Sequence, residues 1–231
     1  MQRRMHRAAA RFWRAARSIH ASALLSLWLG LIGSAAQAEQ SPLELETRIP
    51  LGIVKGRIDH LAVDLLRQHL FVAELENNSL AIVDSNNGGL RQRITGLKQP
   101  QVVGYVPTVD TLFVANGGDG SLRLFRGGDF AATANMLLGK DADNVRFDAD
   151  AKSVYVGYGA GALAVIDPSS HAKIKDIALP AHPESFQISE DGHSKRQRVH
   201  VTCGEGAIDV FDAGNNYAPA VWFYRPSPLR T

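Results

Sequence analysis

An all-β fold assembled from repeated four-stranded units is predicted by three observations. The first is a period. Leu70-Phe71-Val72-Ala73, Leu112-Phe113-Val114-Ala115, Val154-Tyr155-Val156-Gly157 and Val199-His200-Val201-Thr202 follow one another at 42, 42 and 45 residues. The second is a companion series with nearly the same spacing. Leu80-Ala81-Ile82-Val83-Asp84, Leu122-Arg123-Leu124-Phe125-Arg126, Leu163-Ala164-Val165-Ile166-Asp167 and Ile208-Asp209-Val210-Phe211-Asp212 are offset by 42, 41 and 45 residues. The third is the absence of helical periodicity after residue 38, where short apolar runs alternate with Asn-, Asp- and Gly-rich turns. Four strands in each unit of some 42 residues is the pattern of a β-propeller blade.

Before the repeats stands a leader. Residues 1–38 carry six Arg, no Lys and no acidic residue, then the apolar run Ala21 to Gly33 and the small-residue pattern Ala36-Gln37-Ala38. This is the make-up of a signal peptide, with Glu39 as the first mature residue and a periplasmic or secreted destination; an uncleaved anchor and a mitochondrial presequence are the alternatives. Arg3-Arg4 leaves open whether export is Sec or Tat. A 13-residue run covers roughly 20 Å of a hydrocarbon core about 30 Å thick, so no membrane span is expected once the leader is removed. The remaining chain has 19 basic and 23 acidic residues, a net charge of −4. That balance gives no electrostatic reason for nucleic-acid binding. The single cysteine, Cys203, excludes an internal disulfide.

Each repeat reads as strands A to D. In the first, strand A covers 60–64, B covers 69–75, C covers 79–84 and D covers 90–97, with Glu76-Asn77-Asn78 and Asn86-Asn87-Gly88-Gly89 as turns. The blades are expected at about 56–97, 98–139, 140–180 and 181–219. Residues 43–54 read as a lone outer strand, and no D strand is evident after residue 212. The N-terminal strand would then complete the fourth blade and close a small ring. The competing reading is an incomplete propeller, whose open edges would invite self-association.

The segments Phe113-Val114-Ala115-Asn116, Tyr155-Val156-Gly157-Tyr158 and His200-Val201-Thr202-Cys203 resemble the strand that names the YVTN-type (WD40-like) β-propeller repeats. Lys140-Asp141-Ala142-Asp143-Asn144, His182-Pro183-Glu184-Ser185-Phe186 and the stretch from Gly204 to Phe211 are similar to exported bacterial members of that family. The resemblance spans 43–217 and implies fold more than chemistry, because the family holds binding modules, quinoprotein partners and proteins of other kinds. Its members usually have seven blades, so a chain with four looks like a shortened relative.

In a propeller, ligands meet the central channel where the innermost strands begin. The D-to-A crossings place Asp59, His60, Gln101, Asp143, Asn144, His182 and Glu184 at that mouth. Together they suit a hydroxylated small molecule or a protein partner; Asp59, Asp143 and Glu184 are the hard oxygen donors that Ca²⁺ would take. The alternative is that these residues only cap strand starts and solvate the channel. Gly-x-Ser-x-Gly, His-Glu-x-x-His, Cys-x-x-Cys and the haem-attaching Cys-x-x-Cys-His are absent. The expected function is therefore an exported, non-catalytic binding or scaffolding module. A lactonase-like metal-dependent hydrolase, an electron-transfer partner subunit and an inactive shortened remnant stand as alternatives.

Overall fold

The computed structural model describes residues 45–150, 152–190, 197–203, 208–212, 216 and 218–219. The predicted leader lies outside them. Backbone contacts divide the chain into Met1–Thr47 and Arg48–Thr231. Residues 45–47 of the first unit have no regular structure, and all that follows concerns the second.

The second unit is all-β. Sheet one contains β1 (Leu61–Asp64), β2 (His69–Glu74), β3 (Ser79–Asp84) and β4 (Gly89–Thr95). Sheet two contains β5 (Pro100–Val106), β6 (Thr111–Asn116), β7 (Ser121–Arg126) and β8 (Ala132–Leu137), with a 3-10 turn at Pro107–Val109. Sheet three contains β9 (Asp143–Asp148), β10 (Ser153–Tyr158), β11 (Ala162–Asp167) and β12 (Ala172–Ala178). Sheet four contains β13 (Ser185–Glu190), β14 (Gln197–Thr202), β15 (Ile208–Asp212) and the two-residue β16 (Ala218–Pro219). Within every sheet the strands are antiparallel and in chain order. No described helix is long and apolar enough to cross a membrane.

The period seen in the sequence reappears in the backbone. Gln68, Asp110 and Lys152 take positive φ at the close of the β1–β2, β5–β6 and β9–β10 turns. Gly88, Phe130, His171 and Asn216 do so before the outer strands. Asp64, Asp84, Asp148 and Asp167 end strands and accept backbone N–H bonds from two or three residues on, the side-chain geometry that turns a chain sharply. Gly120 (φ +70°) could not be replaced without cost, because a Cβ there would meet the Gly139 carbonyl oxygen at 2.1 Å.

Sheet packs on sheet through three buried clusters. Phe71, Leu80 and Ile82 meet Val103, Leu112 and Val114 between sheets one and two. Phe113, Leu122 and Leu124 meet Val145, Val154 and Val156 between sheets two and three. Tyr155, Leu163 and Val165 meet Phe186, Val199 and Val201 between sheets three and four. The innermost strands therefore neighbour one another in the order β1, β5, β9, β13. Alternating side chains let one strand serve two such interfaces, since period two sends consecutive residues to opposite faces.

One expectation is corrected. The described part of the supposed lone strand at 43–54 pairs with no other strand. Pro50 lacks an N–H, and Gly52 and Gly56 take φ of +73° and +70°, which break an extended run. This segment is tied to sheet one, with Arg93 Nη2 donating to the Leu51 carbonyl and Lys55 N donating to Asn77 Oδ1. The outer strand of sheet four comes from its own C-terminal side, Ala218–Pro219.

Candidate functional site

The residues singled out at the D-to-A crossings form a polar belt that runs through all four sheets. At its start, Arg57 Nη2 donates to Asp59 Oδ2 at 3.1 Å and His60 Nδ1 lies 3.0 Å from Asp59 Oδ1. His60 then reaches the second crossing, its backbone N and its Nδ1 both 3.2 Å from the Gln101 carbonyl. Gln101 Nε2 in turn donates to Asp141 Oδ1 at 2.8 Å. At the far end, Asn144 Nδ2 donates to Asp143 Oδ1 and to the Glu184 carbonyl, both at 3.0 Å.

Local irregularities aim these side chains. The β5–β6 register skips Gln101, and the β9–β10 register skips Asn144. A residue left out of the ladder by a bulge is free to turn its side chain elsewhere. Asn144 adopts φ +50°, a conformation asparagine tolerates better than most residues. Gly117 leaves room for Gln101, since a Cβ there would lie 2.1 Å from Gln101 Nε2.

His182 links the third crossing to the fourth. Its Nδ1 donates to the Gly159 carbonyl at 2.7 Å; a carbonyl only accepts, so Nδ1 carries a proton. Nε2 faces Asp143 at 3.6 Å and Asp141 at 3.7 Å. Burial alone would lower the His182 pKa, but the Gly159 carbonyl and the carboxylates of Asp143, Asp141 and Glu184 together raise it above its ordinary value. Asp143 is shifted upward as well, by burial first and by Asp141 in addition, against the opposing pull of Asn144 and His182.

The structure thus connects six of the seven predicted residues by side-chain bonds or close ionic contacts. Glu184 joins through its backbone, its N–H donating to the Thr202 carbonyl while its side chain is exposed. The metal trio does not assemble. Among the described residues no three His, Cys, Asp or Glu side chains gather as a cation site; Asp59 is engaged by Arg57 and His60 and Asp143 by Asn144 and His182, at the starts of different sheets. Sequence reasoning passed over Asp141 and the Gly159 carbonyl. Asp141 was legible in Lys140-Asp141-Ala142-Asp143-Asn144; a carbonyl carries no sequence signal.

Where sheets one and two adjoin, on the same side as the crossings, lies an open cleft of about 470 Å³ lined by Lys55, Glu76, Asn78, Lys98, Gln99 and Gly118. Its walls are pinned: Gln99 N donates to Asn78 Oδ1 at 2.8 Å and Gly118 N to the Lys98 carbonyl at 3.1 Å.

No family model and no curated protein matches the chain. Solved structures do. Kuenenia stuttgartiensis hydrazine synthase superposes with a TM-score of 0.61 at 20% identity, over 71% of this chain and 50% of that one. The dihydro-heme d1 dehydrogenase NirN, in complex with DHE, superposes with a TM-score of 0.59 at 20% identity, over 70% of this chain and 36% of that one. The chain therefore spans half or less of each of these two structures. At that identity the likeness is one of fold, and the fold is all-β of β-propeller type.

Proposed function

We propose that the chain is an exported, non-catalytic module that holds a polar ligand or a partner's loop against the side where its inner strands begin. One observation carries this reading: the belt from Asp59 and His60 through Gln101, Asp141, His182, Asp143 and Asn144 to Glu184 is hydrogen-bonded or ion-paired at each described crossing. Side chains held by one another present donors and acceptors at fixed places, so a hydroxylated molecule binds them with little ordering cost. The resemblance to YVTN-type repeats, as a shortened relative, belongs to the same reading. The test is a thermal-shift screen of sugars, polyols and Ca²⁺ on the purified chain, followed by Asp143→Ala and Glu184→Ala. Affinities unchanged in both variants would remove the belt from the binding surface.

A second reading, an electron-transfer partner subunit, is compatible with the solved structures, one of which is named a dehydrogenase. The chain would then contribute a docking face to a redox protein, with no redox group attached to its own cysteine. Purification under native conditions decides between them. A co-purifying redox protein whose association is weakened by Asp143→Ala supports the second.

A further inference from the structure

The cleft between sheets one and two shares no side chain with the polar belt, and it is built with fixed walls and unengaged charges. Lys98 N donates to Oδ1 of the buried Asn116 at 3.0 Å, and Lys55 N donates to Asn77 Oδ1 at 3.2 Å. Both lysine backbones are thereby anchored. Among the described residues, no hydrogen bond or ion pair takes up either lysine ammonium or the Glu76 carboxylate. Asn78 Oδ1 accepts from Gln99 N at 2.8 Å, which leaves both Nδ2 hydrogens open. The turns also carry side chains where the next repeat has none. Asn78 takes φ +55° just before β3, whereas Gly120, 42 residues on, takes φ +70° just before β7. Glu76 and Gly118 stand in the same relation. Asparagine tolerates the left-handed region, so an amide stays at the cleft. Two other glycines make room for the polar groups. A Cβ at Gly56 would stand 2.2 Å from Glu76 Oε2, and one at Gly118 would meet Gln99 Oε1 at 3.3 Å.

We infer that this cleft binds a small hydroxylated carboxylate of the sugar-acid kind, its acid group on the ammoniums of Lys55 and Lys98 and its hydroxyls on Glu76 and Gln99. Two ammonium groups and the Asn78 amide are donors only, and charge-assisted bonds to a carboxylate are the strong ones they can form. The single Glu76 carboxylate accepts from hydroxyls and repels ligands that carry many negative charges, polyphosphates and nucleic acids among them. No aliphatic or aromatic side chain lines the cleft, so an apolar ligand gains nothing there. Its volume of about 470 Å³ lies within the range of small-molecule sites. The anchored walls hold these groups before the ligand arrives, which keeps the ordering cost low.

Isothermal titration calorimetry of the purified chain with D-galacturonate, D-galactose and inorganic phosphate tests the assignment. Galacturonate is expected to bind with a Kd at or below about 1 mM, and more weakly as salt is added. Galactose, with a hydroxymethyl group in place of the acid, is expected to bind at least about tenfold more weakly. Lys55→Met and Lys98→Met should each weaken galacturonate about fivefold. Neither should move the melting temperature, since neither ammonium has a partner among the described residues. Glu76→Gln removes the repelling charge and should narrow the preference for galacturonate over phosphate. The inference is overturned by any of five results: no galacturonate binding, equal affinity for galactose, phosphate bound as tightly by the wild type, affinity unaltered in both lysine variants, or a preference that Glu76→Gln leaves unchanged. Asp143→Ala touches the belt alone and should leave galacturonate affinity as it was, so the belt and the cleft can fail separately.

Discussion

His182 Nε2 stands 3.6 Å from Asp143 Oδ2 across the junction of the third and fourth sheets. Both groups titrate above their ordinary values in the fold, so the folded chain binds more protons than the unfolded one wherever either is part-titrated. For His182 the stabilisation is complete below about 6.5 and is lost as pH rises through the raised folded value. For Asp143 the raised value likewise means that folding is favoured as the carboxyl protonates.

The melting temperature is therefore expected to fall as pH rises from 6 toward 8. His182→Gln keeps a donor for the Gly159 carbonyl and should flatten that slope. Differential scanning calorimetry across the range checks it, and an equal slope in the variant would refute it.

Glu74 has a fully buried side chain and is held by Arg93 Nε at 2.8 Å, Ser79 Oγ at 2.5 Å and Asn77 Nδ2 at 3.1 Å. Burial pushes its pKa up, but those donors outweigh burial and hold it low. Arg93→Met should cost about 3 kcal/mol by leaving a buried carboxylate without its counter-charge. The stability that the low value confers is present above the unfolded pKa and disappears as pH falls through the folded one. Urea titration of the variant at neutral and acid pH should show the loss shrinking in acid.

Arg67 clamps sheet one to sheet two. Its Nη1 donates to Asp64 Oδ2 at 2.8 Å, Tyr105 OH at 2.9 Å and Asp110 Oδ1 at 2.8 Å. Burial and the hydrogen bond to Asp110 push the Tyr105 hydroxyl up to about 12. Arg67→Ala should cost about 2 kcal/mol, and Arg67→Lys should recover only part, since an ammonium lacks the planar fork. Tyrosine absorbance during alkaline titration offers an independent readout: among the described residues Tyr105 ionises late, as does Tyr158, whose pKa burial and Asp176 also raise.

Phe113 is fully buried between sheets two and three. Phe113→Ala should remove about 3–5 kcal/mol, measured by urea unfolding. A loss under 1 kcal/mol would mean that the cavity collapses and the cluster is looser than its burial implies.

The strand boundaries expected for the first repeat, 60–64, 69–75, 79–84 and 90–97, lie within two residues of β1 to β4. Such agreement has a local cause: period-two burial, β-branched residues and Asx turns are all written within a few residues of the element they shape. The crossing residues were legible for the same reason, as polar positions repeating at the starts of inner strands.

The lone outer strand failed because Gly52, Gly56 and Pro50 outweigh an apolar pattern that looks extended. The carboxylate trio failed as a cation site because spacing along a chain does not say which way a carboxylate turns at the start of its strand. The sequence by itself determined the repeat, the strands and the polar character of the crossings, since each depends on neighbours close along the chain. Only the tertiary structure decided that His182 faces Asp143 and Asp141, that Arg67 ties two sheets together and that Lys55 and Lys98 line one cleft. Those facts depend on contacts between sheets some forty residues apart, where packing and not local preference sets what a side chain meets.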